Sequence, residues 1–180
     1  MSAPILSVRE IQKQDIDSIV QYWMSAEPEF LLGMGVDLRK VPSKEEWEKS
    51  FLEHVSLPIE KKRSYYLIWE VDGQAVGHSN INKIIIGEGA SMHLHLWHAN
   101  KRIKGMGSTL VKMGLSYYFN NYKLKTLHCE PAAMNPAPNK TLARVGFTFV
   151  KKYTTIPSTI CAELEVNRWE LSYEDFKKMK

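Results

Sequence analysis

Apolar and polar positions along this chain alternate with two different periods, and the changes of period mark its elements. Residues 5–9 alternate at period two and predict a short first strand. Over residues 15–25 the apolar positions Ile16, Ile19, Val20 and Trp23 recur at helical spacing, and the pattern stops before Pro28. Residues 27–42, with Gly33, Gly35 and two prolines, read as an irregular loop. Ser43 followed by Glu46 is a capping-box pair that opens a helix through Trp47, Phe51 and Val55. Residues 64–71 are rich in β-branched and aromatic side chains, Asp72-Gly73 is a hairpin turn, and residues 75–86 form the return strand. A second turn at Gly87-Glu88-Gly89 leads into a strand over 90–98, with Leu94 and Leu96 on one face and His93, His95 and Trp97 on the other.

Beyond it, Leu110, Met113, Tyr117 and Tyr118 place a helix over 109–122. A strand over 124–129, a short helix over 135–145 closed by Gly146, and strands over 147–154 and 161–171 complete the chain. This order predicts an α+β fold: a single domain over residues 1–180, built on a mixed, mostly antiparallel sheet flanked by helices. No linker divides it.

Composition narrows the class. The apolar share is 44% and the charged share 24%, ordinary for a soluble globular protein. Two cysteines, Cys129 and Cys161, are too few for a disulfide framework and fit the reducing cytoplasm. The first residues lack a basic segment followed by an apolar run, and no stretch approaches bilayer length, so neither a signal peptide nor a membrane partner is expected. Net charge is +4, in short clusters such as Lys61-Lys62-Arg63 that read as solvated surface, and no nucleic-acid module accompanies them.

The candidate chemistry sits between the 90–98 strand and the next helix, at Arg102-Ile103-Lys104-Gly105-Met106-Gly107. Glycines there let the backbone curl closely around a bulky anion. The unpaired amides of the helix's first turn then point at that anion, and Arg102 and Lys104 add positive charge. A pyrophosphate suits such a site. A dinucleotide fingerprint would need a third glycine and a βαβ unit, and a P-loop would need GxxxxGK[ST]; neither is present.

Arg102 to Gly107 matches the [RQ]-x-x-G-x-[GA] signature, and a second block runs from Cys129-Glu130-Pro131 through Asn135 to Arg144-Val145-Gly146-Phe147. On these two blocks and the order of elements, the chain resembles the GNAT superfamily of acyl-CoA N-acetyltransferases. Within it, the chain is similar to the aminoglycoside 6'-N-acetyltransferase, siderophore-type and ribosomal-protein alanine N-acetyltransferase branches. The resemblance implies a splayed central sheet, acetyl-CoA as cosubstrate, and transfer of its acetyl group to a primary amine by direct attack. Alternatives are acetylation of a protein N-terminus or lysine, or an acyl-CoA-binding domain without turnover.

It also implies a site. The backbone of His95, Leu96 and Trp97 would hold the pantetheine arm. Arg102, Ile103, Lys104, Gly105, Met106, Gly107 and Ser108 would hold the pyrophosphate, with Thr109 close by. Asn135 would face the thioester and Asn139 would reach the cofactor. His93 is the candidate base, ahead of His95 and His98, since an imidazole titrates near neutrality. A backbone N–H of the splayed strand would stabilise the oxyanion. Leu142 stands where many members carry a tyrosine acid, leaving Tyr153 or water for that step, or a thiolate that departs unassisted. Glu27, Glu29, Asp37 and Glu130 are carboxylates suited to a cationic amine. No metal is expected despite the nearby histidines, and the chain is expected to act as a monomer or homodimer.

Overall fold

The computed structural model describes residues 3–97, 103 and 105–179. Asp72 and Gly73 both take positive φ, 50° and 74°. That turn matches strand twist and joins β2 (Ser64–Val71) to β3 (Gln74–Ile85). β1 (Leu6–Glu10) lies antiparallel to β2, and β4 (Gly89–Leu96) antiparallel to β3. With β5 (Thr126–Cys129), β6 (Thr148–Thr155) and β7 (Leu164–Ser172) they make one seven-stranded sheet, ordered β1-β2-β3-β4-β5-β7-β6. Every neighbouring pair is antiparallel except β4 and β5, which are joined by the crossover helix α4 (Met106–Tyr122).

Each sheet face has its own core. On one face α4 and α5 (Pro136–Val145) bury Leu110, Leu115, Tyr118 and Leu142 against Leu67, Ile81, Met92 and Leu127. On the other, α1 (Ile16–Ser25) and α3 (Lys44–Ser56) bury Ile19, Val20, Trp23 and Phe51 against Ile68. The period-two alternation of β4 assigns its side chains accordingly: Leu94 and Leu96 pack on the α4 side, and Trp97, just past its end, on the α1 side. The capping box of α3 forms in both directions, Glu46 N to Ser43 Oγ at 3.2 Å and Ser43 N to Glu46 Oε2 at 2.8 Å. Ahead of α1, the buried Asp15 carboxylate accepts two Arg9 bonds at 2.6 and 2.8 Å and the Gln12 amide at 2.7 Å. These ties fix the helix that carries Tyr22 and Trp23 over β4.

Three expectations change. The stretch 27–42 is not wholly irregular: Pro28 opens a short helix, α2 (Pro28–Gly33), and Leu38–Lys40 forms a 3-10 turn. α4 begins at Met106, earlier than the apolar periodicity shows, because Gly105 caps it at φ 84°. A last helix, α6 (Tyr173–Lys178), follows β7 and was not expected. Among the described residues, no helix is long and apolar enough to cross a membrane.

Candidate active site

The site starts from a defect in the sheet. β4 and β5 pair over only four positions, Gly89↔Thr126 to Met92↔Cys129, and then part. Past Cys129 the chain leans to β7 instead: Asn167 N donates to Pro131 O at 3.0 Å and Ala133 N to Glu165 O at 2.9 Å. β4 continues on β3 alone, with His93 opposite Asn80 and Leu96 opposite Gly77. Because the Trp97 amide points to β3, bonding Val76 O at 2.9 Å, alternation turns the N–H and C=O of Leu94 and Leu96 away from β3. They face the gap. An extended chain lying there would find a strand edge to pair with.

Two cavities open on this gap. The first, about 320 Å³, is lined by Leu94, Leu96, Ile103, Gly105 to Ser108, Asn135 and the α5 residues Lys140, Thr141 and Arg144. Gly107 and Ser108 lie in the first turn of the 17-residue α4, where amides have no partner within the helix. A Cβ on Gly105 would meet nothing within 4 Å, yet its φ of 84° needs glycine. A strand edge, free amides at a helix start and two cationic side chains together fit a long ligand with amide groups and phosphates.

The second cavity, about 310 Å³, lies across β4 on the α1 and α3 side. It is lined by aromatic residues, by His78, His93 and His95, and by Glu130, under a roof formed by residues 157–161. That roof is pinned: Asp37 N donates to Ile160 O at 2.9 Å, and Ala162 N to Gly35 O at 3.0 Å. Met34, Leu94, His95, Asn135 and Pro138 line both cavities, so the two meet at the open edge.

Burial dominates the electrostatics of the histidines. His78 is pushed down to about 3 by burial and by His93. His93 falls to about 4 through burial and the nearby Lys83 and His128, with Glu130 opposing. His95 is also held well below its ordinary value by burial and by its histidine neighbours. All three are neutral imidazoles at pH 7. The His78 and His95 rings stack at 4.6 Å, His78 Nδ1 accepts from Trp97 Nε1 at 2.8 Å, and Tyr22 Oη lies 3.3 Å from His95 Nδ1. His93 Nε2 lies 3.2 Å from Asn82 Oδ1, which can only accept, so Nε2 carries the hydrogen and Nδ1 the lone pair. For Glu130, burial works to raise its value, but hydrogen bonds from Tyr153 and Arg168 outweigh it and hold the carboxyl below the ordinary range.

The expected residues divide. His93 lines the second cavity alone, His95 and Asn135 line both, and Leu96, Ile103, Gly105, Met106, Gly107 and Ser108 line the first. Arg102, Lys104 and His98 lie outside the described residues. Three residues lie elsewhere. Trp97 lines neither cavity and donates its indole to His78. The Thr109 hydroxyl turns back on the Gly105 carbonyl at 3.4 Å. Asn139 lines neither cavity, because its amide is engaged inside the protein. Its Oδ1 accepts from Asn167 Nδ2 and Trp169 Nε1 at 2.9 and 2.8 Å, and its Nδ2 donates to Ala132 O and Asn135 O at 3.1 and 2.7 Å. Leu142 is fully buried in the core and Tyr153 donates to Glu130, so neither presents a hydroxyl to the gap. Sequence reasoning missed His78, Tyr22 and Arg144; the basic pair Lys140 and Arg144, one turn apart on α5, was the readable signal for the last.

Comparison with known proteins bears on this geometry. A family model described as an acetyltransferase (GNAT) domain matches residues 6–148. A search of curated protein sequences found no match. Among solved structures, a spermidine N-acetyltransferase from Vibrio cholerae in complex with CoA and spermine is similar, at 16% identity and TM-score 0.76, over 96% of this chain and 98% of that one. An aminoglycoside acetyltransferase in complex with coenzyme A aligns at 13% identity and TM-score 0.74, over 97% and 98%. A ribosomal-protein alpha-N-acetyltransferase in complex with coenzyme A aligns at 16% identity and TM-score 0.76, over 94% and 95%. At such identities these likenesses establish the fold, and the family model covers most of the chain. The chain therefore belongs to the GNAT superfamily and is an acetyl-CoA-dependent N-acetyltransferase.

Proposed function

We propose that the chain acetylates a primary amine on a small molecule bound in the cavity between β4, α1 and α3, with acetyl-CoA entering from the opposite side. The observation that carries this reading is that the two cavities meet at the unpaired edge of β4, beside Leu94, His95 and Asn135. The roof pinned to Gly35 and Asp37 supports a small acceptor over a protein surface. The free buried thiols of Cys129 and Cys161 support a reducing compartment, the cytoplasm.

When bound, acetyl-CoA supplies a thioester carbonyl activated toward amines. Leu94 and Leu96 offer backbone N–H and C=O groups to its arm, and one of those amides can donate to the carbonyl oxygen as it gains charge. The Gly107 and Ser108 amides, with Lys140 and Arg144, hold the phosphates. Asn135, whose Oδ1 caps α5 through the Ala137 amide at 3.3 Å, lines both cavities at their junction. His93 takes the amine proton at Nδ1, directly or through water. Because burial makes it a weak base in the resting protein, it works on an amine that arrives uncharged. Tyr22, the one phenol among the described residues of the donor cavity, is kept protonated by burial and can donate a hydrogen bond to the departing thiolate, which takes its proton from water.

Calorimetric titration with acetyl-CoA, beside NADH and ATP, tests the donor assignment, and a thiol-release assay tests turnover. Acetyl-CoA is expected to bind and the nucleotides not; absence of acetyl-CoA binding would refute the reading. His93→Ala is expected to lower kcat/KM by about 10²–10⁴-fold. Full activity of that variant from about pH 6 to 9 would remove His93 from the mechanism.

A further inference from the structure

We infer that the acceptor is a monoamine carried on a flat aromatic body with a neutral hydrogen-bonding group, and not a polyamine or an aminoglycoside. This deepens the acetyl-transfer reading above and rests on it.

The first argument is charge. Among the described residues lining the acceptor cavity, Glu130 is the only carboxylate. It is already paired, with Arg168 Nη1 at 2.7 Å and the Tyr153 hydroxyl on the same oxygen. A second cation, Lys83, holds the roof through the Pro157 carbonyl at 3.2 Å. Arg168 also pairs with Glu170 Oε1 at 2.6 Å, so the two cations near the cavity are matched by two carboxylates, of which only Glu130 lines it. A polycation bound there would have several ammonium groups stripped of water against that single, already paired carboxylate.

The second argument is shape. Trp47 stacks on both Trp23 and Phe51, with centroids 5.6 and 5.4 Å apart and planes within 17°. Both faces of the Trp47 ring are thereby covered, so that ring has only its edge to offer a ligand. Ring edges carry the positive part of the quadrupole and suit the face of another aromatic ring. Asn80 and Asn82 complete a polar but uncharged wall.

The test is a thiol-release panel on the full chain, preceded by titration with acetyl-CoA. The amines are phenethylamine, tyramine and tryptamine against spermidine and kanamycin. The inference expects kcat/KM for the arylethylamines to exceed that for either polycation by at least about tenfold, since one lost polar contact already approaches that factor. If acetyl-CoA binds but spermidine or kanamycin is turned over as well as the arylethylamines, or no arylethylamine is turned over, the inference is overturned while the donor assignment stands. If acetyl-CoA does not bind, both fall together.

Discussion

Gly77 on β3 is the position where one added carbon would test the site most sharply. It lies opposite Leu96, and a Cβ built on it falls 2.4 Å from the His95 carbonyl oxygen and 3.1 Å from Leu96 Cα. Ordinary contact begins near 3.4 Å, so Gly77→Ala forces β4 away from β3 by about 1 Å at that point. Backbone cannot swing aside as a side-chain tip can. Overpacking of this kind costs about 1–3 kcal/mol of stability. The displaced stretch includes Leu96, whose N–H and C=O groups face the gap, and a misplacement of about 1 Å can cost about 10²-fold in rate. Denaturant unfolding would read the first effect; thiol release and acetyl-CoA titration would read the second. Gly33→Ala is the matched comparison, because a Cβ there meets nothing within 4 Å. Should Gly77→Ala unfold at the same denaturant concentration as Gly33→Ala, with undiminished kcat/KM, the geometry argued for β4 is wrong.

Two further predictions follow from buried polar groups. Asn139→Ala removes four hydrogen bonds and orphans the Trp169 indole and the Asn167 amide. An expected loss of about 2–4 kcal/mol should appear as a lowered Tm, with acetyl-CoA affinity in the folded protein largely kept; an unchanged Tm would contradict the assigned knot. The second concerns pH. Folding lowers His93 from about 6.5 to about 4, and His78 and His95 shift the same way. The unfolded chain therefore binds protons first, and stability that is full above about pH 6.5 drains as pH falls toward about 4. Urea unfolding at successive pH values should show a steady fall across that window, and a flat profile would count against buried neutral histidines.

Much of the fold was readable because its signals are local. Asp72-Gly73, the Ser43–Glu46 capping box and Gly146 at φ 110° each act within a few residues, and each appears as expected. Pro28 misled because a proline read as loop punctuation also suits the first turn of a helix, the place it takes in α2. α6 is six residues long, too short for periodicity to reveal, and only its Ser172 cap marks it. The glycine-rich helix start was legible for the same local reason. Asn139 was not, since its partners Asn167 and Trp169 stand 28 and 30 residues away and meet it only through the pairing of β5 with β7. The stacked His78 belongs with these: it lies on a different strand from His95, and only register brings the rings together.

The four-position pairing of β4 with β5 has a thermodynamic consequence. It makes the sheet two cooperative blocks, β1 to β4 and β5 to β7, joined by a short ladder and by helix contacts. A ligand arm lying along Leu94 and Leu96 supplies the rungs that the ladder lacks, so binding acts as a missing strand. Its stabilisation should then concentrate at the seam. In hydrogen exchange, the Leu94 and Leu96 amides should gain far more protection on ligand binding than those of β1 or β6, the outer strands farthest from the seam.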